Sequence, residues 1–497
     1  MQTYVTISSL GIVGGLLFFF ALGAICGSFI NVLVYRLPKG LNIVTPPSAC
    51  PHCGTRLTWR QNFPIFGWLW LRGRCRFCRS PVSVEYPLVE LFVAVLFATY
   101  FLWFADPYVM DKIGVNIRAW RPEWAADGLW RMWPMLLIIL CLSGSFVAAT
   151  LIDAKTFLIP IALPWFATVV AFVVHPLHAL WMQLTRGGLF DTHFAWTIPT
   201  PTGLWLGAAL GGALGVALSA ALLAMRVLPR SFADYEAWED EHHAQQAARV
   251  ERAAEPKPDE GPRDSLRLAL RRTLYLTGPA VTLMFVGFTI GLRTGWAFQG
   301  LAIGLGLGLI IGLALRRLAE PAPDDEPDFL QYPYARREMG KELLYLAPIF
   351  AGALLGAWLC SPGRALEPLA LDAPLWLRAL AGSLLGYLVA GGAVWLVRIG
   401  GSLAVNTEAM GIGDVHLLAA AGAALGWIDP LLAFFTAPFF GIAWVLLGVV
   451  FKRLFRATGA ALPYGPHLAA ATLVVLLCKP LYEQLVSWIL GEPINIP

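Results

Sequence analysis

Charge is what this sequence has least of. Asp, Glu, Lys and Arg make up 14% of its 497 residues, against 58% hydrophobic residues and a mean hydropathy of +0.65, where a soluble domain carries about 25% charge. That scarcity excludes an ordinary water-soluble globular chain and leaves a polytopic membrane protein. The formal net charge is only +4, and the basic residues sit in loops beside apolar runs and form no single solvated face, which excludes a nucleic-acid binder. Short-period repeats are absent, so a solenoid is excluded. Residues 1 to 35 contain no Asp, Glu, Lys or Arg; a removable signal peptide would need a basic start, and this segment reads as a retained anchor.

What is present is a series of apolar runs of about 20 residues, the length that crosses a bilayer as a helix. They fall near 9–29, 85–104, 134–152, 159–181, 203–225, 274–292, 296–315, 343–360, 375–397, 414–428, 431–451 and 464–478. The expected fold is therefore all-α and polytopic, with about twelve transmembrane helices, one or two of them re-entrant or merged. Residues 36 to 84 hold Arg36, Lys39, Arg56, Arg60, Arg72, Arg74, Arg76 and Arg79 and no acidic residue. The positive-inside rule places that loop in the cytoplasm and the N-terminus outside. Arg226 and Arg230, Arg316 and Arg317, Arg398, and Lys452 and Arg453 then close the fifth, seventh, ninth and eleventh runs on the same side.

Five regions follow. Residues 1–30 form the first span, 31–84 a small cytoplasmic domain and 85–182 the next spans. Residues 183–400 are further spans carrying two charged arms, 229–272 and 318–342, which read as solvated connectors. Residues 401–497 close the chain. His242 and His243, in the first arm, lack neighbouring ligands and read as surface residues.

The small domain contains Cys50 and Cys53 in C-x2-C spacing and, after twenty-one intervening residues, Cys75 and Cys78 in a second such pair. Two tight turns of two thiolates each can close a tetrahedral zinc site, and a four-thiolate site has no open position, so this zinc is structural. Disulfides, the rival reading, are disfavoured in a reducing compartment. His52 is read as a bystander, and Cys26, Cys141, Cys360 and Cys478 as packing residues.

Within the apolar runs carboxylates are few. Asp153, in TLIDAKTFLIP, closes the third run, and Asp414, in MGIGDVHLL, opens the tenth. Six runs separate them, an even number, so both fall on the same membrane face. Two carboxylates in a low-dielectric site share one proton, leaving one to act as base toward a water and the other to polarise a carbonyl. Gly411 and Gly413 permit a turn and close backbone approach of an extended substrate just before Asp414. Singly, each aspartate has an ordinary reading: Asp414 as a helix cap, Asp153 as a partner of Lys155. An alternative function is a transporter or assembly scaffold whose carboxylates bind protons or ions.

The stretches GSFINVLVYRLP (27–38), RGRCRFCRSPVSVEYPLVELF (72–92), LIDAKTFLIP (151–160), GIGDVHLLAAAGAALGW (411–427) and PYGPHLAAATL (463–473), in that order and with the four-cysteine loop, resemble those of the bacterial type IV prepilin peptidases. These are aspartic proteases of the bacterial inner membrane, of the GxGD class. The resemblance implies removal of the basic leader from type IV prepilins or type II secretion pseudopilins at the cytoplasmic face. It also implies N-methylation of the new terminus with S-adenosylmethionine. It assigns Asp153 and Asp414 as the proteolytic pair and the four cysteines as metal ligands, with methyl transfer in the cysteine loop and its flanks. No Gly-rich nucleotide loop is visible there; Glu90 is the one candidate for binding an amine. This chain departs from the pattern in its length, the spans of 183–400 being inserted, in His416 where Lys is common, and in Ile161 where Asp or Asn is common.

Overall fold

The computed structural model describes residues 2–112, 116, 121–185, 198–235, 237–238, 332–455 and 464–491. Backbone that crosses lipid must satisfy its own hydrogen bonds, and the apolar runs accordingly fold as helices: α1 (Gln2–Arg36), α2 (Glu85–Leu102), α3 (Leu129–Thr156), α4 (Ala162–Thr185), α5 (Gly203–Ala224), α6 (Ala335–Leu359), α7 (Leu375–Val405), α8 (Ile412–Leu425), α9 (Ile428–Phe455), α10 (Gly465–Leu477) and α11 (Lys479–Leu490). The all-helical membrane fold is as expected. The count of about twelve spans is not confirmed: among the described residues seven helices are long and apolar enough to cross a membrane, and the runs at 274–292 and 296–315 lie outside those residues.

The shortfall has a geometric cause at the C-terminal end. With 14 and 13 residues, α8 and α10 rise about 21 and 20 Å at about 1.5 Å per residue, less than the ~30 Å apolar thickness of a bilayer. Neither crosses alone. In exchange α8 is interior to the bundle, ringed by α3, α4, α7, α9 and α10, and every residue from Leu417 to Leu425 is buried.

Glycine sets how closely these helices approach. Gly386 of α7 meets Gly422 of α8 backbone to backbone, and Gly207, Gly211 and Gly215 of α5 lie against Gly356, Gly352 and Pro348 of α6, the small-residue packing that substitutes for a hydrophobic drive in lipid. The arms depart from expectation where they are described. Residues 335–342 form the first two turns of α6, with Glu338 and Glu342 buried. The two glutamates face inward because each finds a partner, Glu338 in Arg337 and Lys341 and Glu342 in Arg398, while Arg336 and Arg337 are exposed. His242 and His243 lie outside the described residues.

Candidate active site

α3 runs one turn past Asp153 and stops: Phe157 takes a left-handed conformation (φ +55°) and donates its N–H to the Asp153 carbonyl, 2.9 Å away, a common helix ending. The chain then crosses through Leu158 and Ile159 to α4. α8 starts at Ile412 with Gly411 as its N-cap, which puts Asp414 in the first turn. α10 starts at Gly465. These three helix ends converge, and both aspartates are buried there, 5% and 7% exposed.

The carboxylates are held by backbone. Gly465 donates its N–H to Asp153, and Gly411 donates its N–H to Asp414, as the N-cap N–H of a capping box does to the side chain three residues on. The charge on Asp153 acts on Asp414. Lys155 does not neutralise Asp153; it pairs with Glu85 at 2.5 Å. Asp414 is not itself the N-cap, and its Oδ1 is buried without a hydrogen-bond partner among the described residues. A half-satisfied buried carboxylate is costly in a structural role and is what a reacting water or peptide carbonyl requires.

Gly413 and Gly411 differ. A Cβ at Gly413 would strike Ile159 at 2.8 Å, whereas one at Gly411 would meet only Asp414 Oδ2, at 3.5 Å, and Gly411 is extended (φ −67°). Close approach therefore concerns Gly413, and it is to Ile159. Sequence reasoning passed over Gly465, where a Cβ would lie 2.5 Å from Asp153 Oδ2 and 2.9 Å from Ile159 Cδ1; the tripeptide YGP at a helix start was the available signal. It also passed over Arg398, whose charge reaches Asp414. His416 packs its ring toward Trp165, 6.5 Å between centroids, and Ile161 is exposed.

The cysteine loop forms two matched turns. Cys50 N–H bonds Thr55 O and Gly54 N–H bonds Cys50 O; Cys75 N–H bonds Ser80 O and Arg79 N–H bonds Cys75 O. Gly54 and Arg79 are left-handed at φ +67° and +60°, and an antiparallel bridge closes each turn, Ala49 with Arg56 and Arg74 with Pro81. The four sulfurs lie within 4.8 Å of one another, and Cys50 and Cys78 are 3.8 Å apart. That is the edge of a tetrahedron with metal–sulfur bonds of about 2.3 Å, and all four are free thiols. Thr55 hydrogen bonds bring the Cys53 thiol down to about 6. Cys78 is pushed up to about 11, against the lowering effect of the Ser80 backbone, by burial and its three neighbouring cysteines. A bound cation relieves that crowding, so the donor set fits zinc. His52 is no part of the cluster.

Between this loop and the adjoining ends of α1 and α2 lies a cavity of about 440 Å³, walled by Arg36, His52, Trp68, Arg74, Tyr86 and Glu90 among others. Glu90 is 8% exposed and accepts the Ile65 N–H at 2.6 Å. Ile65 is β-branched yet sits at φ +62°, an unfavourable conformation that this bond holds. Glu90 thus ties the loop to α2.

A buried carboxylate pair inside a helical bundle, with a four-cysteine cluster that could hold a metal ion in the chain's N-terminal part, defines a multi-pass membrane protein with a candidate aspartic hydrolase centre. Comparison with known proteins narrows this. Residues 21–104 match the model of the bacterial peptidase A24 N-terminal domain, bearing out the resemblance to the prepilin peptidases over that region. A prepilin leader peptidase/N-methyltransferase of Myxococcus xanthus is 52% identical over 80 residues, 16% of this chain and 24% of the relative. One of Pectobacterium carotovorum subsp. carotovorum is 36% identical over 160 residues, 28% of this chain and 48% of the relative. One of Klebsiella pneumoniae is 44% identical over 86 residues, 16% and 38%. The chain spans less than half the length of these curated relatives, and Asp153 and Asp414 lie beyond residue 104. No solved structure matches the chain.

Proposed function

We propose that the protein is an aspartic endopeptidase of the bacterial inner membrane that removes the leader of type IV prepilins or type II secretion pseudopilins at the cytoplasmic face. It then methylates the exposed amine. The observation that carries the reading is the meeting of Asp153 and Asp414 at three helix ends, one carboxylate oxygen left unpartnered, in a chain whose N-terminal segment matches the A24 domain. The pair shares one proton. The ionised member takes a proton from water, the hydroxyl adds to the scissile carbonyl carbon, and the protonated member donates to the carbonyl oxygen. Collapse of the tetrahedral adduct breaks the C–N bond, with a proton passed to the departing amine. Gly465 and Gly411 fix the two carboxylates throughout.

Zinc on Cys50, Cys53, Cys75 and Cys78 shapes the loop and takes no part in the reaction. S-adenosylmethionine, when bound, supplies the methyl group. The cavity beside the cysteine loop has a volume in the range of small-molecule sites, with Trp68 and Tyr86 as stacking surfaces and Glu90 as a counter-charge for an amine. In the transporter reading further unpaired intramembrane acids are needed, but Asp429 pairs with Lys479 and Glu342 with Arg398.

The direct test is mass spectrometry of a prepilin incubated with the purified protein in detergent, with and without S-adenosylmethionine. Loss of the leader mass establishes the peptidase, and one added methyl mass on the product establishes the second activity. Cognate prepilins that stay intact with folded protein sink the reading.

Three variants refine it. Gly465→Ala forces the Asp153 carboxylate aside and lowers the cleavage rate about 10²-fold, the effect of a small misplacement at a reacting centre. Gly411→Ala makes only ordinary van der Waals contact, with Asp414 Oδ2 at 3.5 Å and Gly413 N at 3.9 Å, and stays within about threefold. Glu90→Ala releases Ile65 and lowers methylation about tenfold or more, while leader removal changes less than about twofold; equal loss of both activities contradicts the division of labour.

A further inference from the structure

Arg398 lies within α7 and is 1% exposed, the largest fully buried side chain among the described residues. A buried guanidinium is expensive unless every face is paired. Here it is. Nη2 donates to Glu342 Oε1 at 3.0 Å and Nε lies 3.2 Å from each Glu342 oxygen, while Nη1 donates to Glu408 Oε1 at 2.5 Å and to the Met410 carbonyl. Trp395 Nε1 donates to Glu342 Oε2 at 2.6 Å. The Phe232 ring covers the guanidinium, 5.5 Å from Cζ.

These partners come from separate parts of the chain. Glu342 is on α6, Phe232 follows α5, and Glu408 and Met410 belong to the segment between α7 and α8. That segment ends at Gly411, whose N–H holds Asp414. Apart from Arg398, it is fastened to α7 by Ser402 Oγ, which accepts the Ala409 N–H at 3.0 Å. Arg398 therefore grips the chain one residue before the group that orients Asp414. Its own position is fixed by a carboxylate on α6.

We propose that Arg398 is a positioning residue for the Gly411–Asp414 turn, and that Glu342 on the inserted helix α6 is the counter-charge that aims it. The inserted helices are thereby part of the active-site frame. A planar fork with five N–H groups suits the task, since one nitrogen reaches the turn while two hold α6; the single ammonium of lysine cannot do both. The inference rests on the proposed peptidase reading for its kinetic readout but not for its structural one.

The experiment compares Arg398→Met, Arg398→Lys, Glu342→Gln and Glu408→Gln with the full-length protein, by prepilin cleavage kinetics and by amide hydrogen exchange over residues 403–416. Arg398→Met is expected to lower kcat about 10²-fold with KM within about threefold, with Arg398→Lys and Glu342→Gln falling between it and wild type. Exchange at 407–413 accelerates about tenfold or more in Arg398→Met and Glu342→Gln, with protection of α8 beyond Leu417 retained. If Arg398→Met does not fold, Glu408→Gln, at a half-exposed position that leaves the Glu342 pair intact, carries the test through the same two readouts. Unchanged exchange and kcat in the folded variants, or a rise in KM alone, overturn the proposal. Wild-type protein that cleaves nothing defeats the peptidase reading, and the exchange result then decides the positioning by itself.

Discussion

Asp153→Asn and Asp414→Asn each abolish leader removal, by about 10³-fold or more, and the double variant is no worse than either single one. A proton donor and a proton acceptor that act on one water contribute as a unit, so removing the second after the first changes nothing further. The substitution is isosteric and removes only the capacity to ionise. Because Asp153 and Asp414 are buried, and because burying an amide is less costly than burying a charge, the variants are expected to unfold at temperatures no lower than wild type. Thermal unfolding in detergent and a cleavage time course settle both points. Additive losses in the double variant contradict a shared water; residual activity in either single variant within about tenfold of wild type removes that aspartate from the chemistry.

The second large effect concerns the cysteines. Exchanging Cys75 for Ser, or stripping metal with a chelator, is expected to eliminate bound zinc as measured by elemental analysis and to end methylation entirely. Cleavage falls only about tenfold, since the carboxylate pair is built from α3, α8 and α10 and not from the loop. Without its metal each C-x2-C turn is closed by three backbone bonds within itself, and the sulfur cluster that joins the two turns is lost. Acid has the same direction of effect. Thiolates bind zinc and thiols do not, so protons compete with the metal for the four sulfurs and zinc is released as pH falls. Zinc that stays bound in Cys75→Ser contradicts the four-ligand site.

Much of this was legible before any coordinates. Cysteine spacing alone announced two turns sharing a metal, because C-x2-C geometry is local. Runs of apolar residues announced helices, because lipid leaves the backbone no alternative. The aspartates stood out as rare acids at the ends of apolar runs. What stayed hidden is what depends on meeting across the chain. Gly465 stood only within the stretch PYGPHLAAATL and is the donor to Asp153. Arg398 looked like a positive-inside flank, and nothing in its neighbourhood shows that Glu342, 56 residues earlier, would reach it. Glu342 read as part of a solvated arm because its partner, Arg398, is distant in sequence. Run length alone also did not show that α8 and α10 are too short to cross the bilayer by themselves.

The glycine seam between α5 and α6 carries a consequence for anyone shortening the chain. Backbone packed against backbone at three successive turns makes the two helices a single plank, and α6 brings Glu342 to Arg398 as the plank is docked. Cutting away α6 alone would strand α5 with a bare glycine face, and cutting both would leave a buried guanidinium missing its main partner, a loss of about 3–5 kcal/mol. A minimal version therefore has to remove the plank and recode Arg398 in the same step.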